Sequence, residues 1–159
     1  MRGELQRARR NQGKKSSVPG SVVISMVLLR AGGTVIIMNK EQILERFQEM
    51  DAVAGRAMKL FESTGKGVPL SDVPKVREIV ETLKVKLRAE YIRVGHIQNR
   101  KNLSKLEIDF YQPAINDALR NGELRRINPG TIPDHKWYGA LYDVRSYIER
   151  WSFELKKIR

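Results

Sequence analysis

The chain has 159 residues, with 30 Lys+Arg against 18 Asp+Glu and a formal net charge of +12. That length holds one domain, or one domain with an appendage, and its 41% hydrophobic content suits a folded core rather than wholesale disorder. With no cysteine, disulfide frameworks, thiolate metal sites and cysteine nucleophiles are excluded, while a pI near 10.2 points to an anionic partner such as nucleic acid or an anionic membrane surface.

Residues 1–37 come first and carry half of the net charge: Arg2, Arg7, Arg9, Arg10, Lys14, Lys15 and Arg30 against Glu4. The apolar run Val22–Leu29 is at the short end of a secretory core, Arg30 interrupts it, and no small-residue cleavage site follows. A membrane span needs about 20 apolar residues, so no span is expected. An Arg-rich, acid-poor leader also fits an organellar transit peptide. The expectation adopted is a basic leader, disordered or non-native, ahead of a natural start at Met38. Amphipathic patterning begins abruptly there, and Gly32–Gly33 is what a purine-rich ribosome-binding sequence would encode a few codons upstream.

Residues 38–159 read as a single domain. Asn39 followed by Gln42 is a capping-box pattern for a first helix over Lys40–Thr64. Ile43, Phe47, Met50, Ala54, Ala57 and Phe61 repeat at 4-3-4-3-4 spacing, a coiled-coil-like seam widened by Leu44, Val53, Met58 and Leu60. Gly65–Lys66–Gly67 stops this helix. Ser71 or Asp72 caps the second, with Pro74 early in it. Its seam is Val76, Val80, Leu83, Leu87, Val94 and Ile97, flanked by Ile79 and Tyr91, and Glu90 occupies one position that should be apolar. Further helix would set Lys101 and Lys105 on the apolar stripe, so a break is predicted within Gln98–Asn102. The two helices should form a long hairpin over 40–98.

Ser104 with Glu107 makes a second capping box, predicting a shorter helix over 104–121. The alternation of Leu106, Ile108 and Phe110 with charged residues equally fits a strand over 104–112. Pro113 must kink a helix or start a new one, and Gly122 closes it. Asn128–Pro129–Gly130 signals a turn. Asp134 caps a last helix over 134–158, whose seam is Trp137, Leu141, Val144, Ile148, Trp151, Leu155 and Ile158. Tyr138, Tyr142 and Phe153 lie off that seam as a second apolar surface. The fold class is therefore all-α: an antiparallel helical bundle of four or five helices with coiled-coil-like heptad seams.

Few groups suggest chemistry. His96 and His135 are the only histidines and neither has a ligand partner at helical spacing, so no metal site is expected. Ser63–Gly67 fails as a P-loop, because Leu60 and Gly67 stand where Gly and Ser or Thr are needed. Glu90 is the one acid aimed at a core; it would either pair with Lys86, Arg88 or Arg93 or hold a raised pKa. No catalytic residue and no cofactor are expected.

Cations are the stronger signal. Residues 84–105 hold Lys84, Lys86, Arg88, Arg93, Arg100, Lys101 and Lys105 against Glu90 alone. Lys86, Arg93 and Arg100 are seven apart and form a ridge; Lys84 and Arg88 line the other flank. Arg120, Arg125 and Arg126 extend the patch if the third helix folds back. Such a ridge would neutralise phosphates without reading sequence. The same cations also suit a solvated face or a helix-pairing edge.

Ile115–Leu124, ending in Gly122-Glu-Leu124, with Lys136–Trp137–Tyr138 and Asp143–Ile148 beyond it, resembles excisionase-type winged helix-turn-helix proteins. The resemblance spans about 40 residues within 104–151 and implies a recognition helix, a wing and a DNA-binding role. It also implies a wing strand at Lys136–Ala140, where the heptad from Trp137 predicts helix. Together these readings predict a non-enzymatic, cytoplasmic helical protein whose partner is nucleic acid or an acidic protein surface. A homo-oligomer is also expected, with a protein-interaction adaptor and a small DNA-binding regulator as alternatives.

Overall fold

The computed structural model describes residues 37–121 and 123–159. The leader expectations for residues 1–36, and Gly122 as a helix stop, lie outside them. The described residues are all-α, without a strand among them. Helix α1 spans Lys40–Met58, α2 Val73–Gly95, α3 Gln112–Asn116 and α4 His135–Lys156. Tighter 3₁₀ turns at Leu70–Asp72, Ile97–Asn102 and Glu123–Arg126, and π turns at Glu107–Tyr111 and Asp117–Asn121, join and extend them. Among the described residues, no helix is long and apolar enough to cross a membrane.

Local signals explain most boundaries. Asn39 accepts from Gln42 N–H at 2.9 Å while the Gln42 side chain accepts from Asn39 N–H, so the predicted capping box forms. Asp134 accepts from Lys136 N–H at 2.9 Å and starts α4. Asn128 Oδ1 accepts from Gly130 N–H, and Thr131 N–H returns to the Asn128 carbonyl, closing the expected turn. The Ser104–Glu107 box is also present: Glu107 accepts from Ser104 N–H at 2.8 Å, and Ser104 Oγ accepts from Glu107 N–H at 3.1 Å. Helix, not strand, follows it. Gln112 N–H reaches back to the Glu107 carbonyl in a π turn, and Pro113, which has no N–H to donate, follows directly after it in a run that stays helical to Asn121.

Other boundaries differ from expectation for tertiary reasons. Helix α1 ends at Met58, not Thr64, because the chain turns to set Phe61 against Tyr138, edge to face at 5.5 Å. Glu62 N–H is then satisfied by Gly67 O, and Gly65 takes φ +70°. Helix α2 ends at Gly95, before Gln98, as His96 turns to extended backbone. Ile97 consequently leaves the interior and is 79% exposed, not part of a seam. Ile158 lies beyond α4 and is also exposed. The wing strand implied by the winged-helix resemblance does not form, since Lys136–Ala140 lies within α4.

Burial follows the apolar spacing elsewhere. Ile43, Phe47, Met50, Ala54, Ala57 and Phe61 are buried, as are Val76, Val80, Leu83, Leu87 and Val94. Trp137, Leu141, Val144, Ile148 and Leu155 join them, with α4 packing along α1 and α2 against α1 and α3. Trp151 is part-exposed: its indole N–H donates to Asp117 Oδ2 at 2.7 Å, and its ring meets Phe110 edge-on.

Candidate nucleic-acid interface

The ten cations singled out from the sequence fall into two sets on opposite flanks of α2. One flank is tied to residues 120–131 by three contacts from side chains seven residues apart. Arg77 donates to the Thr131 carbonyl at 2.9 Å, Lys84 donates to the Ile127 carbonyl, and the Tyr91 hydroxyl accepts from Arg120 Nη1 at 3.4 Å. As α2 ascends, its partners descend from 131 to 120, so this segment runs antiparallel along the helix. Arg88, one turn beyond Lys84, is exposed beside these ties. Burial, and then the charge of Arg88, lower the Lys84 pKa, with Glu81 opposing. Arg125 and Arg126 immediately precede the Lys84-bound carbonyl of Ile127 in sequence; both are exposed, and Arg126 pairs with Glu123 at 3.3 Å. The structure thus gathers Lys84, Arg88, Arg120, Arg125 and Arg126. Among the described residues, no carboxylate lies within ion-pair distance of Arg88, Arg120 or Arg125.

The other flank is divided. Lys86 is part-buried facing α1; burial lowers its pKa, Glu49 raises it, and Arg56 and Arg46 lower it further. Arg93 is turned inward. Arg100 and Lys101 stand exposed on the turn after α2, and Lys105 pairs with Asp109 at 2.6 Å. Lys86, Arg93 and Arg100 therefore do not present three cations to one surface, despite their heptad spacing.

Arg93 is the centre of an interior charge cluster. Its Nε donates to Glu90 Oε2 at 3.0 Å, and its Nη1 to Glu107 Oε1 at 3.2 Å. Nη2 lies 2.8 Å from the same Glu90 oxygen but is not aligned for a hydrogen bond. Burial alone would disfavour its charge, yet Glu90, Tyr111 and Glu107 outweigh it and raise its pKa. Tyr111, fully buried, donates its hydroxyl to Glu90 at 3.0 Å, and burial followed by the Glu90 charge pushes its pKa well up. Glu107, with no exposed surface, accepts from Met38 N–H at 3.3 Å as well as from Ser104 N–H. Buried Arg46 adds positive potential to this region. The cluster joins the start of α1, the last turns of α2 and the third helical segment, residues 105–121; its groups face one another and neutralise one another. Glu90 pairs with Arg93, one of the three neighbouring cations that spacing allowed it. The burial of Glu107 was not readable from spacing, since its neighbours alternate in polarity, although the capping box marked its position.

Depressions open on the surface of the described residues. A groove of about 540 Å³ lies between the end of α2 and the 108–116 segment, walled by Tyr91, Ile92, Ile108, Gln112, Pro113 and Asn116. A cleft of about 700 Å³ between α1 and α4 is lined by Tyr138, Tyr142 and Phe153 around the Arg145–Asp51 ion pair at 2.8 Å. A third, of about 710 Å³, lies under the 123–134 loop beside Trp137 and Asp143. Burial and then the nearby Glu123 raise the Asp143 pKa. Among the described residues, no group of three or more His, Asp or Glu side chains converges as a metal site would require.

Compared with family models, curated proteins and solved structures, the chain matches none.

Proposed function

We propose that this is a non-enzymatic helical-bundle protein of the cytoplasm that binds nucleic acid through its phosphates, using the flank formed by Lys84, Arg88, Arg120, Arg125 and Arg126. The observation that carries this is the gathering of cations from two distant parts of the chain by the Arg77, Lys84 and Tyr91 ties. Arg88 and Arg125 stand in solvent with no partner carboxylate among the described residues, so they can exchange counterions for phosphate oxygens without breaking a described pair. Arg93 serves the interior instead, and Lys84 acts by holding the 127 carbonyl beside α2. Such contacts favour any phosphate backbone and read no base.

The experiment is a salt titration of binding to DNA and RNA. The affinity should fall linearly on a log–log plot, and Arg88→Glu, Arg120→Glu or Arg125→Glu should each reduce the slope by about 1. Binding that ignores salt, or reversal of Arg88 and Arg125 without loss, would reject the assignment. A second reading, a protein-interaction adaptor or self-association surface using excess heptad faces, draws on the α1–α4 cleft, where Tyr142 and Phe153 are 59% and 60% exposed. Light scattering with and without Phe153→Asp separates it from the first.

A further inference from the structure

The groove at the end of α2 lies directly against the basic flank. Tyr91 forms part of its wall, and the hydroxyl of that same ring accepts from Arg120. On the opposite wall, Gln112 and Asn116 precede Arg120 at four-residue steps along the third segment. The floor and sides are apolar: Val94 is buried beneath, Ile108 and Pro113 are part-buried, and Ile92 is 58% exposed. Gln112 donates its amide N–H to the Val94 carbonyl at 2.9 Å, which fixes the side chain and leaves its amide oxygen as an acceptor. The chain that leaves the groove at His96 carries the exposed cations Arg100 and Lys101 on its next turn. An apolar slot with an aromatic wall and amide edges thus has cations against one wall and on the turn that leaves it.

We propose that this groove receives an unstacked base of a single-stranded nucleic acid. Arg88 and Arg120 take the phosphate on one side and Arg100 and Lys101 take the next. The inference rests on the phosphate-binding reading above and deepens it. A duplex keeps its bases stacked and paired, so it cannot fill an apolar slot of this kind; a single strand can offer a base face to Tyr91 and Ile92 and its edge to Gln112 and Asn116. Each stacked base contributes enough to strengthen binding by about tenfold or more. The site prefers single strands over duplexes without requiring a particular base, because every base has an apolar face.

The test compares the full chain on a short oligouridine strand and on the same strand carrying abasic sugars, by fluorescence anisotropy at fixed salt. The intact strand should bind about tenfold more tightly. Ile92→Ala should erase that difference while leaving the salt slope unchanged, and Tyr91→Ala should erase it while also lowering the slope, because Arg120 loses the hydroxyl that holds it. Tyr91→Phe should keep it, since the ring survives when the hydroxyl is lost. Thermal unfolding of each variant identifies any that lose the fold, and Ile92→Ala, on an exposed side chain, serves if Tyr91→Ala does not fold. Equal, salt-sensitive binding of intact and abasic strands overturns the groove assignment and leaves the phosphate reading standing. Tighter binding of a duplex than of oligouridine overturns it as well. Absence of salt-sensitive binding to every strand overturns the phosphate reading, and the groove assignment with it.

Discussion

Replacing Arg93 by Met tests the interior cluster. Met retains much of the length and apolar stem of Arg but removes the guanidinium that contacts Glu90 and Glu107. Those carboxylates are 4% and 0% exposed, so neither can turn to water without opening the junction of α1, α2 and the third segment. Glu107 would keep the N–H groups of Met38 and Ser104, and Glu90 the hydroxyl of Tyr111, but hydrogen bonds alone do not neutralise two buried charges. Removing one partner of a buried pair costs about 3–5 kcal/mol, against about 5–15 kcal/mol for the whole stability of a typical domain. The Arg93 side chain is itself 25% exposed, so the lower end of that range is expected. Urea unfolding followed by circular dichroism should show a midpoint shift of that size with an unchanged slope. Adding Glu90→Gln and Glu107→Gln to Arg93→Met should restore at least half of the loss, because the uncompensated charge is then gone. A loss below about 1 kcal/mol for Arg93→Met, the range of exposed pairs, would refute the reasoning.

Two further outcomes follow from the same packing. Tyr111 has its pKa raised in the fold, so the folded protein holds the phenolic proton more tightly than the unfolded chain does. Its contribution is fully present below the unfolded tyrosine value of about 10 and is lost as pH rises beyond it. Tyr111→Phe should flatten this alkaline loss while costing about 1.5–3 kcal/mol near neutrality through the missing bond to Glu90, both read from unfolding curves across pH. Gly65→Ala should lower stability by about 1–2 kcal/mol, since φ is +70° there and an added Cβ would meet Tyr138 at 3.2 Å. A thermal midpoint at or above that of the parent would contradict this.

Particular residues show what the sequence disclosed and what it did not. Asn39, Ser104 and Asp134 act through bonds to N–H groups two or three residues away, so their roles were legible without the fold. Apolar spacing likewise marked most buried positions, because a helical face must find cover wherever its neighbours lie. The ends of α1 and α2 were not legible, since they depend on Phe61 meeting Tyr138 and on His96 turning out of the helix. The candidate site divides the same way. The count of cations was plain, but heptad spacing could not separate Arg93, which turns inward, from Arg100, which stands exposed. What distinguishes them is the distant Glu107. Nor could spacing along one helix show that residue 120 meets residue 91, and the third segment must pack first for that contact to exist.

The bond from the Trp151 indole to Asp117 makes an optical reporter of this molecule. Two tryptophans are present: Trp137 is 3% exposed in the interior, whereas Trp151 touches the π turn that leads directly to Arg120. A change in the setting of that turn must alter the hydrogen bond and polarity around one indole while leaving the other in its apolar surroundings. Emission from Trp151, isolated by Trp137→Phe, therefore reads the third segment directly and without a label. A chain that contains no cysteine also accepts a single introduced thiol at a chosen position, so distances to that indole can be followed in solution.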